Sequence, residues 1–153
     1  MTAHIVRSRA LPEEPPRRLT IAFDDRCIFC WRCRDWLLTQ PCLVNVELIP
    51  ASSRTAKDRF DDLPGLAEQL VVGDERGRIW VGGPAFVMCL WATIRYRPWA
   101  FRLAQPRYAP AAERFFRFVS TRRHRLGGWL HHYDPTCSAC HQGTLAVDGV
   151  GRT

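Results

Sequence analysis

Residues 23–30 read Phe23-Asp24-Asp25-Arg26-Cys27-Ile28-Phe29-Cys30, and here an apolar strand runs directly into a Cys-x-x-Cys pair. The residues just before this stretch are rich in strand formers. From Ile28 onward the apolar residues follow a helical spacing, so the hydrophobic period changes from 2 to 3.6 at Cys27. We therefore predict a strand over residues 19–24 and a helix over residues 28–39, with Cys27 at the helix entry.

A cysteine at a helix entry is suited to thiol chemistry. It meets unpaired backbone N–H groups and the positive end of the helix dipole, and both favour the thiolate. Nearby arginines add positive charge that favours the thiolate, whereas the negative charges of Asp24 and Asp25 disfavour it. We expect Cys27 to be the exposed, attacking thiol and Cys30 to lie a turn further in, partly covered. Asp24 is a third candidate catalytic residue, either as a helix cap or as a proton relay.

The cysteine spacing indicates which two thiols can bridge. Cys30 and Cys33 would both be helical, and residues three apart on a helix have Cβ atoms about 5–6 Å apart, whereas a disulfide needs about 3.5–4.5 Å. Cys27 precedes the regular helix and can turn toward Cys30, so these two form the predicted redox pair. We expect Cys33 to be a small buried core residue, on a helical stripe formed by Phe29, Cys33, Trp36, Leu37 and Gln40.

The pattern Asp24-x-x-Cys27-x-x-Cys30 after a strand resembles the signature of the DCC thiol-disulfide oxidoreductase-like proteins, a thioredoxin-like family named for Asp-Cys-Cys. Two later segments also resemble this family, and the likeness covers roughly residues 19 to 127: Gly77-Arg78-Ile79-Trp80-Val81-Gly82 and Ser120-Thr121-Arg122-Arg123-His124-Arg125-Leu126. Asp25 stands where the family usually has glycine. Glu68-Gln69 precedes the third strand, where the wider thioredoxin superfamily has a cis-proline. The resemblance implies a thioredoxin-like fold and thiol-disulfide exchange.

The rest of the chain supplies alternating strands and helices. We predict a strand over 42–49, parallel to the first because a helix connects them, and a helix from Ser52 or Ser53 to about Asp62. Strands over 69–73 and 78–81 should form a hairpin. An apolar helix then begins near Pro84 or Ala85, with Cys89 buried in it. The pattern alone indicates an α/β or α+β protein; the resemblance identifies the β-α-β-α-β-β-α order as a thioredoxin-like core.

A proline-rich connection over 98–110 should lead to an extra C-terminal helix. The apolar stripe of this helix is predicted from the spacing of Ala112, Phe115, Phe116 and Val119. Its other side carries Arg114, Arg117, Arg122 and Arg123. This side is interpreted as a solvated basic face or, alternatively, as a dock for an acidic partner or a membrane surface.

Length and composition fit one globular domain, because the chain has 153 residues of which 46% are hydrophobic. We divide it into a flexible N-terminal tail (1–18), the thioredoxin-like domain (19–126) and a C-terminal extension (127–153). The net charge is +7, but the arginines are spread along the chain and no nucleic-acid motif appears, so specific nucleic-acid binding is not expected. The N-terminus lacks a secretory signal and no run is long enough to span a membrane. A cytoplasmic location is therefore predicted.

The extension contains a second pair, Cys137-Ser138-Ala139-Cys140, followed by His141. This pattern matches covalent c-type haem attachment, although that chemistry normally occurs outside the cytoplasm. The two cysteines could instead bind zinc with His131, His132 or His141, or with Cys27 and Cys30. A third interpretation is an accessory dithiol that exchanges with the main pair, and a fourth is a tail without a specific role.

The main hypothesis is a thiol-disulfide oxidoreductase that uses Cys27 and Cys30 through a mixed disulfide, with no cofactor or metal and with a protein or small-molecule thiol or disulfide as substrate. The alternative is a zinc-stabilised interaction module that uses Cys137, Cys140 and a nearby histidine, in which the basic helix binds a partner. Metal content would separate the two hypotheses.

Overall fold

The computed structural model describes residues 4–6, 11–60 and 63–128. Its helices and strands are β1 (His4–Val6), β2 (Arg18–Phe23), α1 (Ile28–Leu38), β3 (Asn45–Pro50), α2 (Arg54–Phe60), β4 (Val71–Asp74), β5 (Arg78–Val81), α3 (Gly83–Ala92), α4 (Arg97–Leu103), a 3-10 turn (Pro106–Tyr108) and α5 (Ala109–Gly128). Within the described residues, no helix is both long and apolar enough to cross a membrane.

The strands form one mixed sheet in the order β1-β5-β4-β2-β3. β2 pairs in parallel with β3, with Ile21 opposite Leu48, and pairs antiparallel with β4 on its other side. β4 and β5 form the predicted antiparallel hairpin, whose turn uses Gly77 at a positive φ of 79°. The predicted parallel βαβ unit is confirmed, and the elements from β2 to α3 follow the predicted order.

β2 and β4 are buried on both faces of the sheet, which explains why they read as nearly continuous apolar runs. Alternate residues of β2 enter two separate cores. Leu19, Ile21 and Phe23 belong to the larger core, which α1 and α3 cover. Ala22 belongs to the smaller one, where Phe60 of α2 packs. As predicted, Ser53 caps α2, since its hydroxyl accepts the Ala56 N–H at 3.1 Å.

The predicted apolar stripe of α1 is wrong except at Leu37. The buried residues of the helix are Trp31, Arg34 and Leu37, whereas Cys33 is exposed, contrary to the expectation of a core residue. Tertiary contacts set this orientation. The Trp31 indole N–H donates to the Asp25 carbonyl at 2.8 Å, and its ring packs edge-on against Phe23 at 4.9 Å. In contrast, Cys89 on α3 is buried, as predicted.

The structure also differs from the prediction of an N-terminal tail over residues 1–18. His4–Val6 extends the sheet by pairing in parallel with β5. Further along, Pro16 is fully buried. The carbonyl of Glu14 accepts a hydrogen bond from Arg78 at 3.1 Å, and its carboxylate forms an ion pair with Arg76. Three residues are too few to show a strand period in the sequence. The strand forms because the edge of β5 offers backbone groups for pairing.

In two further segments, both in the second half of the chain, the structure differs from the predictions. The expected connection over 98–110 contains α4 and a 3-10 turn, because Pro98, Pro106 and Pro110 each lie in the first turn of a helix, where the missing N–H costs nothing. α5 continues to Gly128, beyond the domain boundary predicted at residue 126.

Candidate active site

Cys27 is the residue at which strand geometry changes to helix geometry. Its backbone is extended (φ −110°, ψ 113°), and it is the N-cap of α1. Its Sγ accepts the backbone N–H of Cys30 at 3.4 Å, so the sulfur satisfies one of the unpaired N–H groups of the first turn. The predicted position of Cys27 at the helix entry is therefore confirmed.

The two thiols of the pair differ strongly in acidity. A hydrogen bond from the Cys30 thiol is the largest influence on Cys27 and lowers its pKa to about 6, from an ordinary value of 9.0. The Cys30 N–H and the Arg123 guanidinium act in the same direction, while burial and Asp24 oppose them. The pKa of Cys30 is raised, first by the hydrogen bond to Cys27 and then by burial. Near neutral pH the pair therefore holds one thiolate and one thiol.

Accessibility runs opposite to the prediction. Cys27 is only 1% exposed, whereas Cys30 is half-buried. The sequence places Cys27 at a helix entry, but α5 packs against α1 and brings the Arg123 guanidinium close to the sulfur. The more acidic thiol is thus the more deeply buried one.

A buried ion pair lies beside the cysteines. Asp24 is 5% exposed, and its Oδ2 lies 3.1 Å from Nη2 of Arg123, whose side chain is 13% exposed. The other carboxylate oxygen accepts the Arg26 N–H at 3.0 Å and so holds the turn before α1. The capping role considered for Asp24 belongs to Cys27 instead.

Arg123 is the site residue that the sequence analysis missed, because it was assigned to the outer basic face of the C-terminal helix. A signal was present. Arg123 follows Phe116 by seven residues, so it continues the inner stripe of α5 by two helical turns. It also lies in the segment 120–126 that resembles the family.

Asp25 connects the turn before α1 to the loop after β3. Its carboxylate accepts the Ser52 hydroxyl at 2.6 Å and the Ser52 N–H at 3.2 Å. Nearby, the Ala51 N–H donates to the Phe23 carbonyl at 2.8 Å. Asp25 therefore ties the turn after β2 to the loop after β3.

The described residues contain five free cysteines and no group of three or more His, Cys, Asp or Glu side chains placed to hold a metal. None of their peptide bonds is cis. The second pair and the candidate histidines of the zinc and haem hypotheses lie outside the described residues: His131, His132, Cys137, Cys140 and His141.

Comparison with known families agrees with this geometry. The family model described as DCC1-like thiol-disulfide oxidoreductase matches residues 21–129, which include Asp24, both cysteines of the pair and Arg123. A search of curated proteins and a search of solved structures each found no match. The match spans most of the chain and confirms the resemblance read from the Asp-Cys-Cys pattern, so this chain belongs to the DCC1-like thiol-disulfide oxidoreductase family.

Proposed function

We propose that the protein exchanges thiols and disulfides with a substrate through Cys27 and Cys30, on a thioredoxin-like core. The observation that carries this proposal is the division of acidity within the pair. One sulfur is largely thiolate near neutral pH and the other keeps its proton. A nucleophile beside a protonated resolving thiol is what a two-step exchange requires.

In the reducing direction, the Cys27 thiolate attacks one sulfur of a substrate disulfide. The substrate S–S bond breaks, a Cys27–substrate disulfide forms, and the released substrate thiolate takes up a proton from solvent. Cys30 then loses its proton and attacks the Cys27 sulfur, the Cys27–substrate bond breaks, and the second substrate sulfur leaves as a thiolate that takes up a proton from solvent. Two electrons pass to the substrate, and the pair ends as a disulfide. The reverse sequence oxidises a dithiol, and the potential of the pair relative to the substrate decides the direction.

The burial of Cys27 adds an opening step to this mechanism. At 1% exposure its sulfur cannot meet a substrate disulfide in the closed structure. The half-buried Cys30 marks the side from which a substrate approaches. We infer that the contact between α1 and α5 loosens before the first attack.

Asp24 and Arg123 have opposite effects on the acidity of the two cysteines. The Asp24 carboxylate raises the pKa of both cysteines, whereas Arg123 lowers both. We assign Asp24 as the group that accepts the Cys30 proton in the resolving step, since it is a buried carboxylate beside the pair. Arg123 is a positioning residue, because it acts on the cysteines through its charge and through Asp24.

The roles of the two cysteines predict an asymmetry between single variants. Cys30→Ser should trap a long-lived mixed disulfide through Cys27, because the resolving thiol is missing. Cys27→Ser should trap far less, because it removes the thiol of low pKa while burial still raises the pKa of Cys30. Incubation with a peptide disulfide, followed by mass mapping of the adduct, measures both outcomes.

Cys33→Ser is the matched control, since it removes an exposed thiol of the same helix and should leave trapping unchanged. Equal trapping by Cys27→Ser and Cys30→Ser, or adducts that form mainly on Cys30, would contradict these roles.

Two other expectations remain predictions. The zinc-module hypothesis depends on residues outside the described part of the chain, and stoichiometric zinc that is lost together with the fold on chelation would support it. The cytoplasmic location predicted from the sequence is likewise retained as a prediction.

A further inference from the structure

Arginines and exposed aromatic side chains occur together on one side of α4 and α5. Trp99 is 53% exposed, Phe115 is 60% exposed and Phe118 is 50% exposed. Trp99 and Phe115 line the same apolar groove, of about 600 Å³, and Phe118 lies one helical turn beyond Phe115. We call this surface the basic aromatic face and define it by Trp99, Arg102, Arg114, Phe115, Phe118 and Arg122.

Two of the three arginines of this face lie over its rings. The Arg102 guanidinium lies 5.2 Å from the centre of the Trp99 ring, and that of Arg122 lies 4.7 Å from the Phe118 ring. Arg114 precedes Phe118 by four residues and therefore lies on the same side of α5. Clustered exposed rings of this kind indicate an interaction surface, whereas scattered ones do not.

The face points away from the redox pair. Phe118 and Arg123 are five residues apart, which places them about 140° apart around the helix. Since Arg123 contacts Asp24, Phe118 faces outward. A partner bound at Phe118 therefore lies on a different side of α5 from the Asp24–Arg123 ion pair.

The surrounding segment is strongly positive. Residues 94–128 contain a single acidic residue, Glu113, against nine arginines: Arg95, Arg97, Arg102, Arg107, Arg114, Arg117, Arg122, Arg123 and Arg125. Of these, Arg123 is neutralised by the buried Asp24. A partner that fits this face must be both negatively charged and able to accept aromatic side chains.

We propose that the basic aromatic face docks the protein onto an anionic lipid membrane surface. Tryptophan and phenylalanine insert at the boundary between headgroups and acyl chains, and arginine pairs with lipid phosphates. α5 carries both exposed rings and arginines on this side and would lie in the plane of the interface. The attachment is peripheral and goes beyond the redox function, which does not require it.

Two other occupants fit the face less well. A single-stranded nucleic acid binds by stacking bases on ring faces, but arginines already cover one face of the Trp99 and Phe118 rings. A second copy of the chain would bring two arginine-rich surfaces together with little acidic charge to offset them, which is unfavourable.

The test is co-sedimentation of the full chain with vesicles of phosphatidylcholine, with or without phosphatidylglycerol. We expect partitioning only into the anionic vesicles, with weaker partitioning at high salt. The double variant Phe115→Ser/Phe118→Ser should lower the partition coefficient by about tenfold or more for each ring that inserts. Arg114→Gln/Arg122→Gln should lower it by about fivefold per arginine.

Arg54→Gln is the matched control, because Arg54 is a 94% exposed arginine on α2, outside this face, and its loss should change partitioning little. Circular dichroism and the pH profile of Cys27 alkylation should be the same in all these variants, which separates failure of docking from failure of the redox site. Absence of binding, equal binding to neutral vesicles, or unchanged binding by the phenylalanine variant would overturn the proposal. Dimerisation or binding to a single-stranded RNA homopolymer that the same variant abolishes would also overturn it.

Discussion

The Asp24–Arg123 ion pair sets the charge around the two cysteines. Arg123 lowers the pKa of Cys27, and its removal also leaves the buried Asp24 without its partner. We expect Arg123→Gln to raise the pKa of Cys27, because a positive charge near the thiolate is lost. Since the thiolate stabilises the reduced form, the potential of the pair should fall by up to about 30 mV for each pKa unit. Alkylation rate against pH and a redox titration measure the two shifts.

Arg123→Lys should restore part of both shifts, because it keeps the charge but loses the planar guanidinium. Arg122→Gln is the adjacent control and should leave both quantities unchanged, since Arg122 is on the exposed side of α5. An Arg123→Gln variant that keeps both the wild-type pH profile and the wild-type potential would show that the ion pair does not act on Cys27.

Among the elements, α5 makes the largest unexpected contribution, because it covers α1 and delivers Arg123 to Asp24. The helix ends at Gly128 and the family match at residue 129. Deletion of residues 129–153, which removes Cys137 and Cys140, should therefore leave the potential of the Cys27/Cys30 pair nearly unchanged. A chain that ends at Thr121 lacks Arg123 and should shift the potential in the direction of Arg123→Gln.

Redox titration of the two truncated chains beside the full chain makes this comparison. Loss of the fold or a large shift in potential on deletion of 129–153 would contradict the prediction. Either result would favour the zinc or accessory-dithiol interpretation of the tail.

In the whole molecule, the acidity of Cys27 couples folding to pH. Its pKa is about 6 in the folded chain and near 9.0 when unperturbed, so between these values the unfolded state binds more protons. Stability of the reduced protein should therefore rise with pH across this window, by about 1 kcal/mol per pH unit, and this contribution should be lost as pH falls through about 6. Urea unfolding of the reduced protein from pH 6 to 8 measures it.

The control is reduced Cys27→Ser, in which the remaining titrating groups are shared with the wild type. The stability difference between the two proteins should grow as pH rises. A difference that does not change with pH would mean that the Cys27 thiolate is not stabilised by folding.

The local features of the fold could be predicted from the sequence because neighbouring residues determine them. The change of period at Cys27 located the end of β2 and the start of α1. Turn chemistry located the β4–β5 hairpin and the Ser53 cap, and proline marked the start of α3. The Asp-Cys-Cys pattern was sufficient to recognise the family. Each of these inferences depends on contacts within a few residues of the chain.

Only the tertiary structure decided the features that depend on contacts between distant segments. The face of α1 that is buried follows from the packing of Trp31 on Phe23 and of α5 on α1, not from its weak apolar period. The same packing buries Cys27 and exposes Cys33. The Asp24–Arg123 pair joins a strand end to the last described helix. No local pattern specifies such a pairing, because it is stabilised by contacts between distant segments, and these contacts form only when the chain folds.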